Sequence, residues 1–174
     1  MKNIVATLSL LFATTLSAQV AIGKATVSSP AVSLEFYDNA DNTRGIILPW
    51  VTSTAAVTGA VNGTLVYNTA DRKVYVKYAS GWRDLSVDNT GTVTTTLQDS
   101  LTDQDTAKVL IGGDPATDTT PGILVLADTN KAMVLPKVAS PHLNIVNPSP
   151  GMIVYDTTKK QLAVFNGTVW SFWK

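Results

Sequence analysis

The 174-residue chain contains no cysteine, a single histidine, His142, and a single glutamate, Glu35. Without cysteine and with one imidazole, disulfides and Cys/His metal sites are excluded. No Ser-His-Asp grouping or G-x-S-x-G elbow is readable, and Glu35, expected to face outward in the strand SLEFY, offers no carboxylate pair in a pocket for glycoside chemistry. We therefore expect no enzyme, with no catalytic residue and no cofactor.

Acidic clusters occur at DNADN (residues 38–42) and DQD (residues 103–105). Carboxylate oxygens are the ligands that calcium takes. Neither cluster continues to the glycine and glutamate of a helix–loop–helix calcium loop. Turn formation explains the first cluster and solvation the second, so no metal site is expected.

Charge is also sparse. Thirteen Lys and Arg balance thirteen Asp and Glu, and charged residues make up 15% of the chain, below the roughly 25% typical of globular proteins. No basic stripe is present, so nucleic acid is not expected as a partner. Thr, Val and Ala take the place of the charged residues, which favours strands over surface helices.

The first eighteen residues have the features of a secretory signal peptide. The stretch MKNIVATLSLLFATTLSA (residues 1–18) has a basic residue, Lys2, near its start, continues with an apolar segment and ends on the small residues Ser17 and Ala18. Such a segment is too short and wrongly flanked for a membrane span. We expect cleavage between Ala18 and Gln19, no later membrane span, and a protein secreted to the exterior or the outer cell surface.

The remainder carries one pattern twice. GTLVYNT (residues 63–69) recurs as GMIVYDT (residues 151–157), and VAIG (residues 20–23) recurs as VLIG (residues 109–112). A tryptophan follows the tyrosine of each copy at the same distance. An internal duplication explains this agreement in order and spacing. The predicted divisions are a signal peptide (1–18), a first β repeat (19–87), a Thr/Asp-rich linker (88–108) and a second β repeat (109–174).

Each repeat predicts β-structure. LVYNTADRKVYVKY (residues 65–78) is typical of strand–turn–strand, with period-two alternation in its second half. The apolar run GIILP (residues 45–49) ends in a proline, which marks a strand end or edge. The linker is expected to be solvated, and a short helix over residues 95–106, with Leu97 and Leu101 on one face, is the alternative. The predicted fold is all-β, with two homologous small β-meander modules intertwined in a homotrimer.

These motifs resemble a repeat of secreted proteins of Bacteroidota-type bacteria. The resemblance rests on AQVAIG (residues 18–23), GIILPWVTST (residues 45–54), GTLVYNT (residues 63–69) and YASGW (residues 78–82), with counterparts in the second half. That family is similar to the shaft modules of phage tail fibres and trimeric adhesins. The resemblance implies a secreted or surface-displayed chain in intertwined homotrimers, and O-glycosylation at Asp-(Ser/Thr) motifs, here at Ser100, Thr106, Thr119 and Thr157.

Self-association also follows from size. A module of about 65 residues buries only about 60% of its unfolded surface and is marginal alone. Short strands that are apolar on both faces leave open edges, which association covers. We expect a structural or adhesive, fibre-like protein. Its expected partners are its own copies, which could also stack end to end, and a surface glycan or protein. The alternative function is a lectin-like module that binds glycans through exposed Trp and Tyr.

Four aromatic residues are predicted to contact a ligand or an interface. Trp82 and Trp170 recur at one repeat position, which favours a role in covering each core. Unlike them, Trp50 and Trp173 have no aromatic counterpart in the other repeat. The predicted contact residues are Trp50, Trp173, Tyr75 and Tyr78.

Overall fold

The computed structural model of the protein describes residues 19–102, 104 and 106–174. Over these residues the chain forms fourteen short β-strands, one 3-10 turn at Thr54–Ala56 and one four-residue helix, α1, at Pro141–Asn144. The prediction of an all-β fold is therefore confirmed. The predicted signal peptide, including Ala18, lies outside the described residues.

Seven strands belong to each repeat. Those of the first are β1 (Val20–Ile22), β2 (Val32–Phe36), β3 (Ile46–Ile47), β4 (Trp50–Val51), β5 (Leu65–Asn68), β6 (Lys73–Tyr78) and β7 (Gly81–Asp84). Those of the second are β8 (Val109–Ile111), β9 (Leu124–Leu126), β10 (Ala132–Val134), β11 (Lys137–Val138), β12 (Met152–Asp156), β13 (Gln161–Phe165) and β14 (Trp170–Trp173). Their order makes each strand of the first repeat the counterpart of one in the second.

Each repeat ends in a four-stranded sheet of the same connectivity, in which the last three strands form a β-meander. In the first, β4 lies parallel to β5, and β5, β6 and β7 follow one another antiparallel. In the second, β11 lies parallel to β12, and β12, β13 and β14 are antiparallel. The register repeats as well, since Trp50 pairs with Tyr67 and Lys137 pairs with Tyr155. The predicted pair of homologous β-meanders is confirmed.

The first hairpin of each meander turns on an Asn or Asp. The side-chain oxygen of Asn68 accepts the backbone N–H of Ala70 at 3.0 Å, and Asp156 accepts that of Thr158 at 2.9 Å. Such local bonds are the reason that Asn and Asp favour turns. The chain then passes through a left-handed residue in each repeat, Arg72 and Lys160.

The two repeats exchange strands. The β10 strand of the second repeat lies parallel to β2 of the first, with Met133 opposite Leu34. The β3 strand of the first repeat pairs antiparallel with β12 of the second, with Ile46 opposite Ile153. The remaining strands pair within their repeats, β1 parallel to β2 and β8 parallel to β9. Each repeat therefore contributes one strand to a sheet of the other.

A hydrophobic cluster shared by both repeats lies beneath this exchange. Its buried members are Leu48, Tyr67, Val74 and Leu85 from the first repeat and Ile153 and Val164 from the second. A second cluster contains side chains of the second repeat alone: Val138, Ile145, Met152, Val154, Ala163 and Phe165. Within the described chain, the intertwining predicted between copies occurs between its own two repeats.

The predicted linker is packed at its beginning and exposed later. Gly91 is buried between Arg72 and the carbonyl of Asn166, and Val93 packs against the shared cluster. Within the described part of residues 95–106 the chain forms turns and no helix. Leu97 and Leu101, considered for a helix face, are exposed.

Glu35 lies in the middle of β2 and is fully buried, so the expectation that it faces outward is wrong. Its carboxylate accepts the backbone N–H of Ser28 at 2.5 Å and lies 3.0 Å from the ammonium of Lys24. Burial by itself raises the pKa of Glu35, but the Ser28 N–H and Lys24 outweigh it and hold the pKa below its ordinary value. Simple alternation failed here because the loop between β1 and β2 folds back over the strand.

Acidification is expected to destabilise the protein in part through Glu35. Because its folded-state pKa lies below the ordinary 4.5, the ionised carboxylate stabilises the fold above that pH, and this contribution is lost as the pH falls through the folded-state pKa. Denaturant midpoints should fall between about pH 5 and pH 3, and less steeply in Glu35→Gln. Asp99→Asn, which changes an exposed carboxylate, should keep the wild-type slope. The same slope in Glu35→Gln would contradict this assignment.

Candidate assembly surface

Tyr67 lies at the centre of the contact between the two repeats. Its side chain is fully buried against Gly151, and its hydroxyl donates to the carbonyl of Asn166 at 2.8 Å. Burial raises the pKa of Tyr67 to about 12, so the phenol stays protonated and remains a donor. At Gly151 φ is +79°, and an added Cβ would lie 2.7 Å from Cβ of Tyr67. Both the conformation and the space therefore require glycine at this position.

The two unmatched tryptophans bridge the same contact. Trp50 Nε1–H donates to the carbonyl of Pro150 at 2.9 Å, and its ring centroid lies 6.0 Å from that of Tyr67. Trp173 Nε1–H donates to the carbonyl of Leu85 at 2.6 Å. In each case the indole of one repeat binds a backbone carbonyl of the other. Contact of either tryptophan with a ligand or a second chain stays a prediction.

The other aromatic residues singled out from the sequence have separate surroundings. The Tyr75 hydroxyl donates to the carboxylate of Asp71 at 2.7 Å, and burial followed by that hydrogen bond raises the pKa of Tyr75. Tyr78, at the end of β6, is 46% exposed. Trp170 packs against the second cluster, and Trp82 is half-buried on β7. The structure therefore does not bring the four predicted contact residues together at one place.

Metal-ligating side chains do not converge in the described part of the chain. No group of three His, Asp or Glu residues there has the spacing that a metal ion needs. In the turn at residues 38–42, Asp38 instead binds Lys24 at 3.0 Å and Lys137 at 3.2 Å, and these ammonium groups hold the pKa of Asp38 below its ordinary value. The outer aspartates of DQD lie outside the described residues. His142 is exposed on α1.

None of the helices in the described residues is long and apolar enough to cross a bilayer.

The predicted O-glycosylation residues are all exposed: Ser100, Thr106, Thr119 and Thr157. Among the described residues, the aspartates that precede them differ in exposure and in their partners. Asp99 is exposed, and Asp118 forms an ion pair with Lys108 at 2.8 Å. Asp156 is fully buried and accepts backbone N–H groups of the turn that follows it.

Apolar side chains remain exposed on several short strands. The β9 strand pairs with β8 on one edge, and no described strand pairs with its other edge. Open strand edges are templates for pairing with another chain. The exposed side chains on strands include Ile22 (β1), Ile47 (β3), Val109 (β8) and Leu124 (β9). These edges form the surface best suited to assembly.

The sequence analysis did not identify the residues that Tyr67 and Trp50 contact in the other repeat. Gly151 and the carbonyls of Pro150 and Asn166 hold Tyr67 and Trp50 in place. One signal was available, since glycine begins both GTLVYNT and GMIVYDT. A glycine repeated at the start of a strand indicates a position with positive φ or close approach, and Gly151 has both.

Comparison with known proteins gives one match. Residues 114–173 match a family model described as a phage tail like trimerisation region, which covers about a third of the 174 residues. The matched segment extends from just after β8 to the end of β14 and so includes the whole second meander. No curated protein and no solved structure matches the chain. The match supports, for the second repeat, the resemblance to phage-tail-like trimeric modules.

Proposed function

We propose that this protein is a non-catalytic structural component of the cell exterior that assembles as a homotrimer. The observation that carries the proposal is the match of residues 114–173 to a trimerisation region, together with the open apolar strand edges. In this role the protein presents a stiff β-rich body, and its function is mechanical support or adhesion.

The packing gives a physical reason for association. The repeats already cover part of each other by exchanging β3 and β10. Exposed apolar residues remain along the strands of both repeats, and a chain without disulfides has few other means of stabilisation. Closed symmetric assemblies cover such edges most simply.

A mass measurement tests this function. The mature protein, residues 19–174, is expected to sediment and scatter light as three chains at about micromolar concentration. We also expect it to resist heat and SDS better than a single small β-domain. Sedimentation as a single chain at that concentration would overturn the proposal.

Secretion, surface display and adhesion to a glycan or protein belong to the same proposal. The signal-like first eighteen residues support export. Stacking of trimers end to end would extend the body into a fibre.

Glycosylation is expected first at Ser100. An enzyme that recognises Asp-(Ser/Thr) must reach both residues, and Asp99 and Ser100 are exposed, whereas the Asp156 that precedes Thr157 is buried. In protein purified from its own host, intact mass should fall by one glycan in Ser100→Ala. Thr157→Ala is the matched control and should keep the wild-type glycan mass. The opposite order would contradict this reading of accessibility.

A further inference from the structure

The contact between the two repeats is heterologous, because each repeat uses a different surface. The first repeat places β3 on β12, and the second places β10 on β2. The counterparts of these strands in the other repeat are β10 for β3, β5 for β12 and β9 for β2. If the two repeats exchanged roles, the same contact would therefore form between β9 and β10 of the second repeat and β3 and β5 of the first.

The first of these surfaces is uncovered at β9. Leu34 on β2 is 1% exposed, and β10 pairs with β2 at this position. Its counterpart is Leu124, since Leu34 pairs with Val20 in β1 as Leu124 pairs with Val109 in β8. Leu124 is 46% exposed, and among the described strands only β8 pairs with β9.

The complementary surface is uncovered at β5. Ile153 on β12 is 2% exposed at the position where β3 pairs with β12. Its counterpart is Leu65, since Leu65 pairs with Val76 as Ile153 pairs with Val164. The side chain of Leu65 is half-buried against the shared cluster, but in the described chain no strand lies beside β5 at this end in the place that β3 takes on β12.

A third matched pair involves the glycine and tyrosine of the repeated motif. Tyr67 is fully buried against Gly151 of the other repeat. Its counterpart Tyr155 is 36% exposed. The counterpart of Gly151 is Gly63, whose φ is +90° and beside which no atom lies within 4 Å of an added Cβ. At each of these three places, the strand or residue that covers one repeat has no equivalent on the other repeat in the described chain.

We infer that the open surface of the second repeat is the docking site for the first repeat of another copy of this chain. By the register of the internal contact, β3 of the second copy lies parallel to β9, with Ile47 of the second copy opposite Val125. Its β5 lies antiparallel to β10, with Leu65 opposite Met133, and its Gly63 covers Tyr155. This inference rests on the proposed self-assembly and names the surfaces that form it.

The strand pairing within the chain favours a second copy of this chain, over an unrelated chain, as the partner at this site. The internal contact shows that the counterpart strands of the other repeat pair in this register, and the open edges of β9 and β5 offer unpaired backbone groups to strands of matching pattern. Each copy has one surface of each kind. A heterologous contact of this type closes into a ring when its rotation divides a full turn, and three copies in such a ring leave neither of these two surfaces open.

Disulfide trapping tests the register, because the protein contains no cysteine of its own. Ile47 is 51% exposed, and Val125 is half-buried but belongs to neither hydrophobic cluster, so cysteines at both positions should leave the fold intact. Neighbouring strands lie about 4.8 Å apart, within the Cα separation that a disulfide bridges. The variant Ile47→Cys/Val125→Cys is expected to form covalent dimers and trimers on oxidation, which reduction reverses.

Two control variants distinguish the alternatives. Tyr78→Cys/Val125→Cys pairs β9 with an exposed tyrosine position outside the proposed contact and should form no covalent oligomer above background. Val125→Cys/Val134→Cys would trap contact between second repeats, because Val134 is the counterpart of Ile47. Covalent oligomers in that variant in place of the Ile47 variant would overturn the inference.

The mass of the wild-type protein separates the two proposals. A trimer whose Ile47→Cys/Val125→Cys variant stays uncrosslinked would overturn the docking surface and leave the proposed function standing. A wild-type protein that stays a single chain would overturn the proposed function itself. A trimer with the expected cross-link, formed also between mixed Ile47→Cys and Val125→Cys chains, supports both.

Discussion

Replacing Tyr67 with alanine is expected to lower the free energy of unfolding by about 3–5 kcal/mol, the usual range for removing a fully buried aromatic side chain. The ring lies in the cluster shared by both repeats, and its loss leaves a cavity between them and an unpaired carbonyl at Asn166. Denaturant unfolding followed by circular dichroism measures the change.

Two further variants identify the origin of that loss. Tyr67→Phe removes only the hydrogen bond and should cost about 1 kcal/mol. Tyr78→Ala removes a tyrosine that is 46% exposed and should change the unfolding free energy by no more than about 0.5 kcal/mol. A loss in Tyr67→Ala no larger than in Tyr78→Ala would contradict a core shared between the repeats.

The second large effect is expected from Gly151→Ala. Its left-handed backbone, with φ +79°, costs about 1–2 kcal/mol for a residue with Cβ. The new methyl group would lie 2.7 Å from Cβ of Tyr67, and overpacking of this kind costs a further 1–3 kcal/mol or so. The combined loss of about 2–5 kcal/mol should appear as a lower denaturant midpoint with an unchanged slope.

Gly59→Ala is the matched control for the backbone cost. Gly59 has nearly the same φ, +73°, but the atom nearest to an added Cβ there is Cγ of Pro121 at 3.3 Å. Its substitution should therefore cost mainly the conformational part. Equal losses at Gly59 and Gly151 would show that the close approach to Tyr67 has no energetic consequence.

The meanders could be predicted because their determinants are local. Alternation in residues 73–78 and the side-chain bonds of Asn68 and Asp156 act over a few positions, and the same signals occur in both repeats. The packing of Gly91, in the predicted linker, against Asn166 depends instead on residues far apart in the chain. Composition alone does not reveal such contacts.

Glu35 and Trp50 show where local reasoning was insufficient. Alternation placed Glu35 outside, but a returning loop carries Ser28 and Lys24 over it. Trp50 was singled out because its counterpart is Lys137, and the structure shows that its indole reaches the carbonyl of Pro150 in the other repeat. Its lack of an aromatic counterpart indicated a special position without indicating the partner.

Local sequence alone established the all-β class, the duplication and the hairpins, because strand alternation and turn chemistry depend on near neighbours. Only the tertiary structure decided that the repeats exchange β3 and β10 and that Leu34 is covered while Leu124 is open. The physical reason is that β2 and β9 are short strands at equivalent places in the two repeats, and the backbone edge of either can accept a neighbouring strand. Which of them receives a strand depends on the three-dimensional path of the chain between the repeats.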